Sequence, residues 1–185
     1  LRAHGVGRFR RGTKTVRLEA TTAAGTAGDR LKLVCVPRGW PSHGYNHANH
    51  RATAAETTLG PANAASLAVK WTLDLQLLGG GTGNGVTSTP TVGNGVVYVT
   101  SWSGRVFAVS ARTGVPRWQY DTGSGGALGV QSSATLTADG RVLVGDSLAT
   151  LHCLDAHTGA RLWMTSIGNP AVDHVWASPA VANGR

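Results

Sequence analysis

Only two cysteines, one methionine and two phenylalanines occur among the 185 residues, and charged residues make up 14% of the chain. Cys35 and Cys153 are far apart, and neither sits in a C-x-x-C or C-x-x-C-H motif, so a haem attachment site is absent from this stretch. No apolar run approaches the roughly 20 residues of a membrane-spanning helix. No apolar 3.6-residue period lasts ten residues, which excludes long amphipathic helices. There is no G-x-S-x-G nucleophile elbow. Gly79-Gly80-Gly81-Thr82-Gly83-Asn84-Gly85 has no Gly-Lys-Ser/Thr after it, so it reads as a flexible loop before a strand rather than a phosphate cradle. The chain begins at Leu1 and stops at Arg185 in mid-repeat, so it reads as a fragment, and the lack of a visible signal peptide carries no weight.

Acidic residues are also few: nine against 17 Lys and Arg, a formal charge of +8. Such a charge attracts polyanions when it is gathered into a patch. Here five basic residues fall at Arg2, Arg8, Arg10, Arg11 and Lys14, and the rest are scattered through turns with no aromatics interleaved. That pattern gives a basic surface, and no nucleic-acid partner is expected.

What the chain does have is glycine (26 residues) and a repeat. One unit runs Ser88-Thr89-Pro90-Thr91-Val92, Gly95-Val96-Val97-Tyr98-Val99, Arg105-Val106-Phe107-Ala108-Val109-Ser110, Thr113-Gly114 and Trp118. The next runs Ser132-Ser133-Ala134-Thr135-Leu136, Gly140-Arg141-Val142-Leu143-Val144, Leu151-His152-Cys153-Leu154-Asp155, Thr158-Gly159 and Trp163. Trp118 and Trp163 are 45 residues apart, Trp71 lies 47 before Trp118, and a third unit opens at Ala177-Ser178-Pro179-Ala180-Val181. A period near 45 with four short β-branched stretches indicates the blades of a β-propeller. The fold expected is all-β: a partial propeller of about two full four-stranded blades, after a β-hairpin left from an upstream domain. Strands are expected near 86–92, 96–101, 105–110 and 115–121, then 130–136, 141–146, 149–155 and 160–166. Asn94-Gly95 and Asp139-Gly140 mark hairpin turns, since these residues accept positive φ. Upstream, 15–22 and 29–36 alternate polar and apolar around a Gly- and Ala-rich separator, the signal of a hairpin. Residues 1–38 are therefore assigned to the tail of an upstream β domain and a linker, and 39–185 to the incomplete propeller.

The segments Ala108-Val109-Ser110-Ala111-Arg112-Thr113-Gly114-Val115-Pro116-Arg117-Trp118 and Cys153-Leu154-Asp155-Ala156-His157-Thr158-Gly159-Ala160-Arg161-Leu162-Trp163 resemble A-x-D-x-x-T-G-x-x-x-W, the docking signature of the pyrroloquinoline-quinone (PQQ) repeat family. They depart from it at Ser110 and at Cys153, which read as a serine for the Asp and a packed core thiol for the Ala. Cys35 either pairs with a cysteine upstream or stays free. A second stretch, Trp40-Pro41-Ser42-His43-Gly44-Tyr45-Asn46-His47-Ala48-Asn49-His50-Arg51 running on to Lys70-Trp71, is similar to the lead-in of quinoprotein dehydrogenases and polyvinyl-alcohol-dehydrogenase-like proteins. The resemblance covers residues 40–185. It implies that Trp71, Thr113, Gly114, Trp118, Asp155, Thr158, Gly159 and Trp163 form a structural docking motif in which each Trp packs near a glycine of a neighbouring blade, a flat indole filling the space that a missing side chain leaves.

The resemblance also implies PQQ with calcium in the full-length protein, alcohol oxidation, a secreted or periplasmic location, and the remaining blades of the same chain as partners. No cofactor is evident in this stretch. A Glu that contacts the quinone in the family is Thr87 here, and the stretch that carries adjacent cysteines in the family reads Ala127-Leu128-Gly129-Val130-Gln131-Ser132-Ser133. The residues thus leave two readings open: a PQQ-dependent oxidoreductase acting on a small alcohol, or a non-enzymatic propeller that binds a protein partner, like the outer-membrane assembly propeller lipoprotein. Two further clusters carry side chains capable of chemistry. His43, His47 and His50 have imidazoles but no carboxylate, and read as a polar loop rather than a metal site. Asp173 and His174, if neighbours on a strand, point to opposite faces and form no catalytic pair.

Overall fold

The computed structural model describes residues 14–22, 25–33, 39–46, 48–52, 59–78, 85–125 and 128–181. Eleven strands are found among them: β1 Lys14–Thr22, β2 Gly25–Leu33, β3 Gly39–Trp40, β4 Thr91–Gly93, β5 Val96–Thr100, β6 Arg105–Ser110, β7 Pro116–Asp121, β8 Thr135–Leu136, β9 Arg141–Gly145, β10 Thr150–Asp155 and β11 Arg161–Ser166. The only helical turns among the described residues are 3-10 turns at Ala64–Ser66 and Gln76–Leu78.

β4 to β7 and β8 to β11 form two antiparallel meanders, the two blades of a partial β-propeller. Asn94 and Gly95, at φ +54° and +75°, make the two-residue turn between β4 and β5 that the Asn-Gly pair calls for. The inner strands are shorter than the sequence suggests. Pro90 has no N–H for a ladder, and the Thr89 and Ser133 amides donate to hydroxyls of the following blade instead of to a strand. β3 adds a fifth strand to the first blade, with Gly39 opposite Gly93 and Trp40 opposite Val92. β1 and β2 pair antiparallel with Thr22 opposite Gly25, so the hairpin's second strand begins four residues earlier than its polar alternation implied and takes in Gly25 and Gly28.

The core lies between the blades. Val96, Tyr98, Val106 and Ala108 of the first blade meet Val130, Ala134, Leu136, Val142, Val144, Leu154 and Ala156 of the second, with Trp118 and Tyr120 packed against them. Strand alternation makes this possible, because every second residue of β5 and β9 faces the junction. No helix among the described residues is long and apolar enough to cross a membrane.

Candidate functional site

The same contact occurs at two successive places. The Trp71 indole N–H donates to the Ala111 carbonyl at 3.1 Å, and the Trp118 N–H donates to the Ala156 carbonyl at 3.2 Å. Gly114 and Gly159 have φ +74° and +75°, and a methyl on either would stand 2.8 Å from the Trp71 ring or 2.7 Å from the Trp118 ring. Tyr98 lies tilted against Trp118, ring centres 5.8 Å apart, and its hydroxyl also donates to Ala156. Asp155 shapes the second glycine turn: its carboxylate accepts from the amides of His157 and Thr158 and from the Thr158 hydroxyl. These bonds, led by the Thr158 amide, hold the Asp155 carboxyl below the ordinary carboxylate range. In the first blade Ser110 does the same with one longer bond, from the Thr113 amide at 3.3 Å. Trp163 is 40% exposed.

A second series of bonds joins the inner strands. Thr89 donates its amide to Ser133 Oγ, and Ser133 donates its own to Ser178 Oγ, both at 2.9 Å. Thr91 and Thr135 donate their hydroxyls to the carbonyls of Ala134 and Pro179. Thr89 Oγ1, the matching hydroxyl of the first blade, is bonded to His43 Nδ1 at 3.2 Å. The lead-in segment therefore runs along the inner edge: β3 pairs with β4, Pro41 accepts the Leu136 amide of the second blade, and His43 reaches Thr89.

Because Thr91 faces Tyr98 across the β4–β5 pair, residues 85–90 lie at the same end of the blade as the Ser101–Gly104 turn. This axial end also carries the turn after β9 and the connections between blades. Thr87 Oγ1 accepts the Trp102 indole N–H at 3.1 Å. Ser101 and Gly129 accept the amides of Val130 and Ser147. Arg105 is paired with Asp121 at 3.4 Å and bonded to the Leu78 carbonyl. The side chains here are thus hydroxyls, an amide, an indole and the paired Arg105 and Asp121, with the Asp146 carboxylate buried in the turn after β9. Thr87 offers a hydroxyl and no carboxylate, and no two cysteines are adjacent in the chain, so these residues do not supply the quinone contacts that the resemblance implies.

His43 and His50 are not brought to a common point. His43 bonds Thr89, while His50 Nδ1 bonds the Asn46 side chain at 3.0 Å. Asp173 and His174 lie in a loop, not on a strand, since Pro170 interrupts pairing and Asp173 accepts the Asn169 amide at 2.7 Å. His174 donates Nδ1–H to the Ser147 carbonyl at 2.6 Å and stacks on Trp176, 5.7 Å away with 5° between planes. Cys153 is a free, fully buried thiol, and burial pushes its pKa up. Cys35, His47, residues 79–84 and Ala127 lie outside the described residues. Tyr120, His152 and Asp146 form a buried cluster that the motif reading passed over. Its signal is in the repeat itself: His152 and Asp146 stand where the first unit has Phe107 and Ser101.

Meander sheets stacked face to face, with an indole of one element bonded over a glycine turn of the next, define a β-propeller built from PQQ-type repeats. The chain belongs to the PQQ-repeat family whose model is described as outer membrane protein assembly factor BamB, matched over residues 44–185. It is 32% identical over 155 residues to 1-butanol dehydrogenase (cytochrome c) of Thauera butanivorans, which covers 79% of this chain and 21% of that protein. It is 34% identical over 155 residues to the quinohemoprotein alcohol dehydrogenase of Comamonas testosteroni, with the same coverage. The solved structure of quinohemoprotein alcohol dehydrogenase ADHIIG from Pseudomonas putida HK5 superposes with a TM-score of 0.64 at 28% identity, over 79% of this chain and 22% of that one. The chain spans about a fifth of the length of these relatives.

Proposed function

We propose that residues 39–185 are early blades of a quinoprotein-type alcohol dehydrogenase, that residues 1–38 are the tail of an upstream domain and a linker, and that the whole protein oxidises small alcohols with PQQ in the periplasm or outside the cell. The 34% identity to the Comamonas enzyme over 155 residues carries this reading. In it, Trp71, Trp118 and Trp163 with Thr113, Gly114, Asp155, Thr158 and Gly159 are docking residues, and these blades supply scaffold. The groups that grip the quinone and calcium lie on other blades. What supports the docking role is the paired geometry at Gly114 and Gly159; Trp163 awaits the same partner on a following blade.

A second reading, a propeller that binds a protein partner without catalysis, is favoured by one observation: Thr87 has no carboxylate and its hydroxyl is engaged by Trp102. Full-length protein reconstituted with PQQ and Ca²⁺ separates the two by dye reduction with primary alcohols. PQQ-dependent turnover is expected. Neither binding nor turnover would leave the second reading.

A further inference from the structure

Asp146 is 0% and His152 1% exposed, and together with Tyr120 they cross the junction from one blade to the other. Asp146 Oδ2 lies 3.0 Å from His152 Nε2, and His152 Nδ1 lies 3.2 Å from the Tyr120 hydroxyl. A carboxylate can only accept, so Nε2 carries the proton. Nδ1 and the Tyr120 hydroxyl are each other's partner, and the hydroxyl can fill either role because it both donates and accepts. The other carboxylate oxygen accepts the amides of Leu148 at 3.0 Å and Thr150 at 2.9 Å. Every polar group in the chain is thus satisfied, as burial requires.

A blade does not need this chain to fold. The first blade has Ser101 and Phe107 at the matching positions and closes its turn locally, with the Ser101 and Ser103 hydroxyls bonded and the Gly104 amide donating to Ser101. Each blade's turn carries a docked segment: in the first the Ser101 carbonyl accepts the Val130 amide at 3.0 Å, and in the second His174, standing where the first has Gly129, adds a side-chain contact. The Asp146 backbone carbonyl accepts the Val175 amide at 2.9 Å, the Ser147 carbonyl accepts His174 Nδ1–H at 2.6 Å, and the Ser147 amide donates back to the Gly129 carbonyl. Gly145 lets this segment approach, since a methyl there would stand 2.2 Å from the Val175 side chain.

We propose that Tyr120, His152 and Asp146 are positioning residues: a buried polar chain anchored on the first blade that fixes the Asp146–Thr150 turn and, through it, the His174–Val175 segment at the axial end. The inference concerns the placement of these loops and stands whether or not the whole protein oxidises alcohols.

Amide hydrogen exchange of the full-length protein, without cofactor or substrate, tests it. The double variant Asp146→Ser/His152→Phe installs the pair of the first blade and buries no lone charge. Its amides over 146–150 and 173–176 should exchange about tenfold faster or more, as expected when hydrogen bonds to a charged group are lost. Those of the β9–β10 ladder should be unchanged. Tyr120→Phe, which removes one hydroxyl, should speed the same segments about threefold on the scale of a single neutral hydrogen bond. Nitrogen-15 shifts should show His174 in its Nδ1–H tautomer in the wild type and in a mixture in the double variant. Unchanged exchange over 146–150 and 173–176 in both variants, or a rise spread evenly over β9 and β10, would overturn the proposal.

Discussion

Asp155 and Ser110 hold matching places before the two glycine turns, yet they differ in what they accept. The Asp155 carboxylate takes two amides and a hydroxyl, led by the Thr158 amide, and its pKa falls below the ordinary carboxylate value. A carboxyl with a depressed folded-state pKa stabilises the fold above its unfolded pKa of about 3.9 and loses that contribution as pH falls through the folded value. Asp155→Ser should therefore lower stability by a constant amount from neutral pH down to about 4, with the difference shrinking at lower pH. Urea melts of the full-length protein between pH 7 and pH 2.5 read this directly; a difference that grows on acidification would contradict it. Cys153 is governed by burial instead. Desolvation raises its pKa more than the Arg141 charge lowers it, and a thiol so placed is inert. In a Cys35→Ser background, Ellman's reagent should leave Cys153 untouched in native protein and label it on unfolding. Rapid labelling without unfolding would show that the second blade opens.

At the scale of the element, glycine turns and indoles set the junction. Gly159→Ala meets two penalties: a left-handed φ of +75° and an indole 2.7 Å from the new methyl. Gly140→Ala meets only the first, since φ is +85° but nothing lies within 4 Å. The first substitution should cost about 1–3 kcal/mol more than the second, the usual range for overpacking. In a Trp118→Ala background the excess should vanish, and a double-mutant cycle measures this. An excess that survives removal of the indole would place the clash elsewhere. These elements were legible in the sequence because Trp118 and Trp163 recur at one interval and Asn94-Gly95 admits one kind of turn. The short inner strands were not legible. Thr89 and Ser133 look like strand residues, but their amides bond across to another blade, and local pattern does not record such long-range partners. The Tyr120–His152–Asp146 chain was hidden likewise. A histidine within Leu151-His152-Cys153-Leu154 reads as one polar residue in an apolar strand until its partners on β7 and after β9 are in view.

For the whole molecule, the two blades present unlike surfaces. Their junction is closed by apolar packing, while the first blade's other face borders an open groove of about 730 Å³ lined by Trp71, Leu73, Val86, Val97, Val99 and Val109. On the second blade, Leu162, Trp163 and Met164 of β11 are exposed. Apolar faces of this kind belong to stacked repeats, which bury them only against neighbours. At the end of the first blade away from the Asn94-Gly95 turn, Thr87 accepts the Trp102 indole N–H. In the proposed function these blades form the wall of a quinoprotein-type ring and leave the grip on the quinone to others. Calorimetric titration of full-length protein with PQQ, wild type against Thr87→Ala, distinguishes a wall from a grip. For a wall the dissociation constants should agree within about twofold, a difference well under 1.4 kcal/mol; weakening by tenfold or more would show that the first blade grips the cofactor.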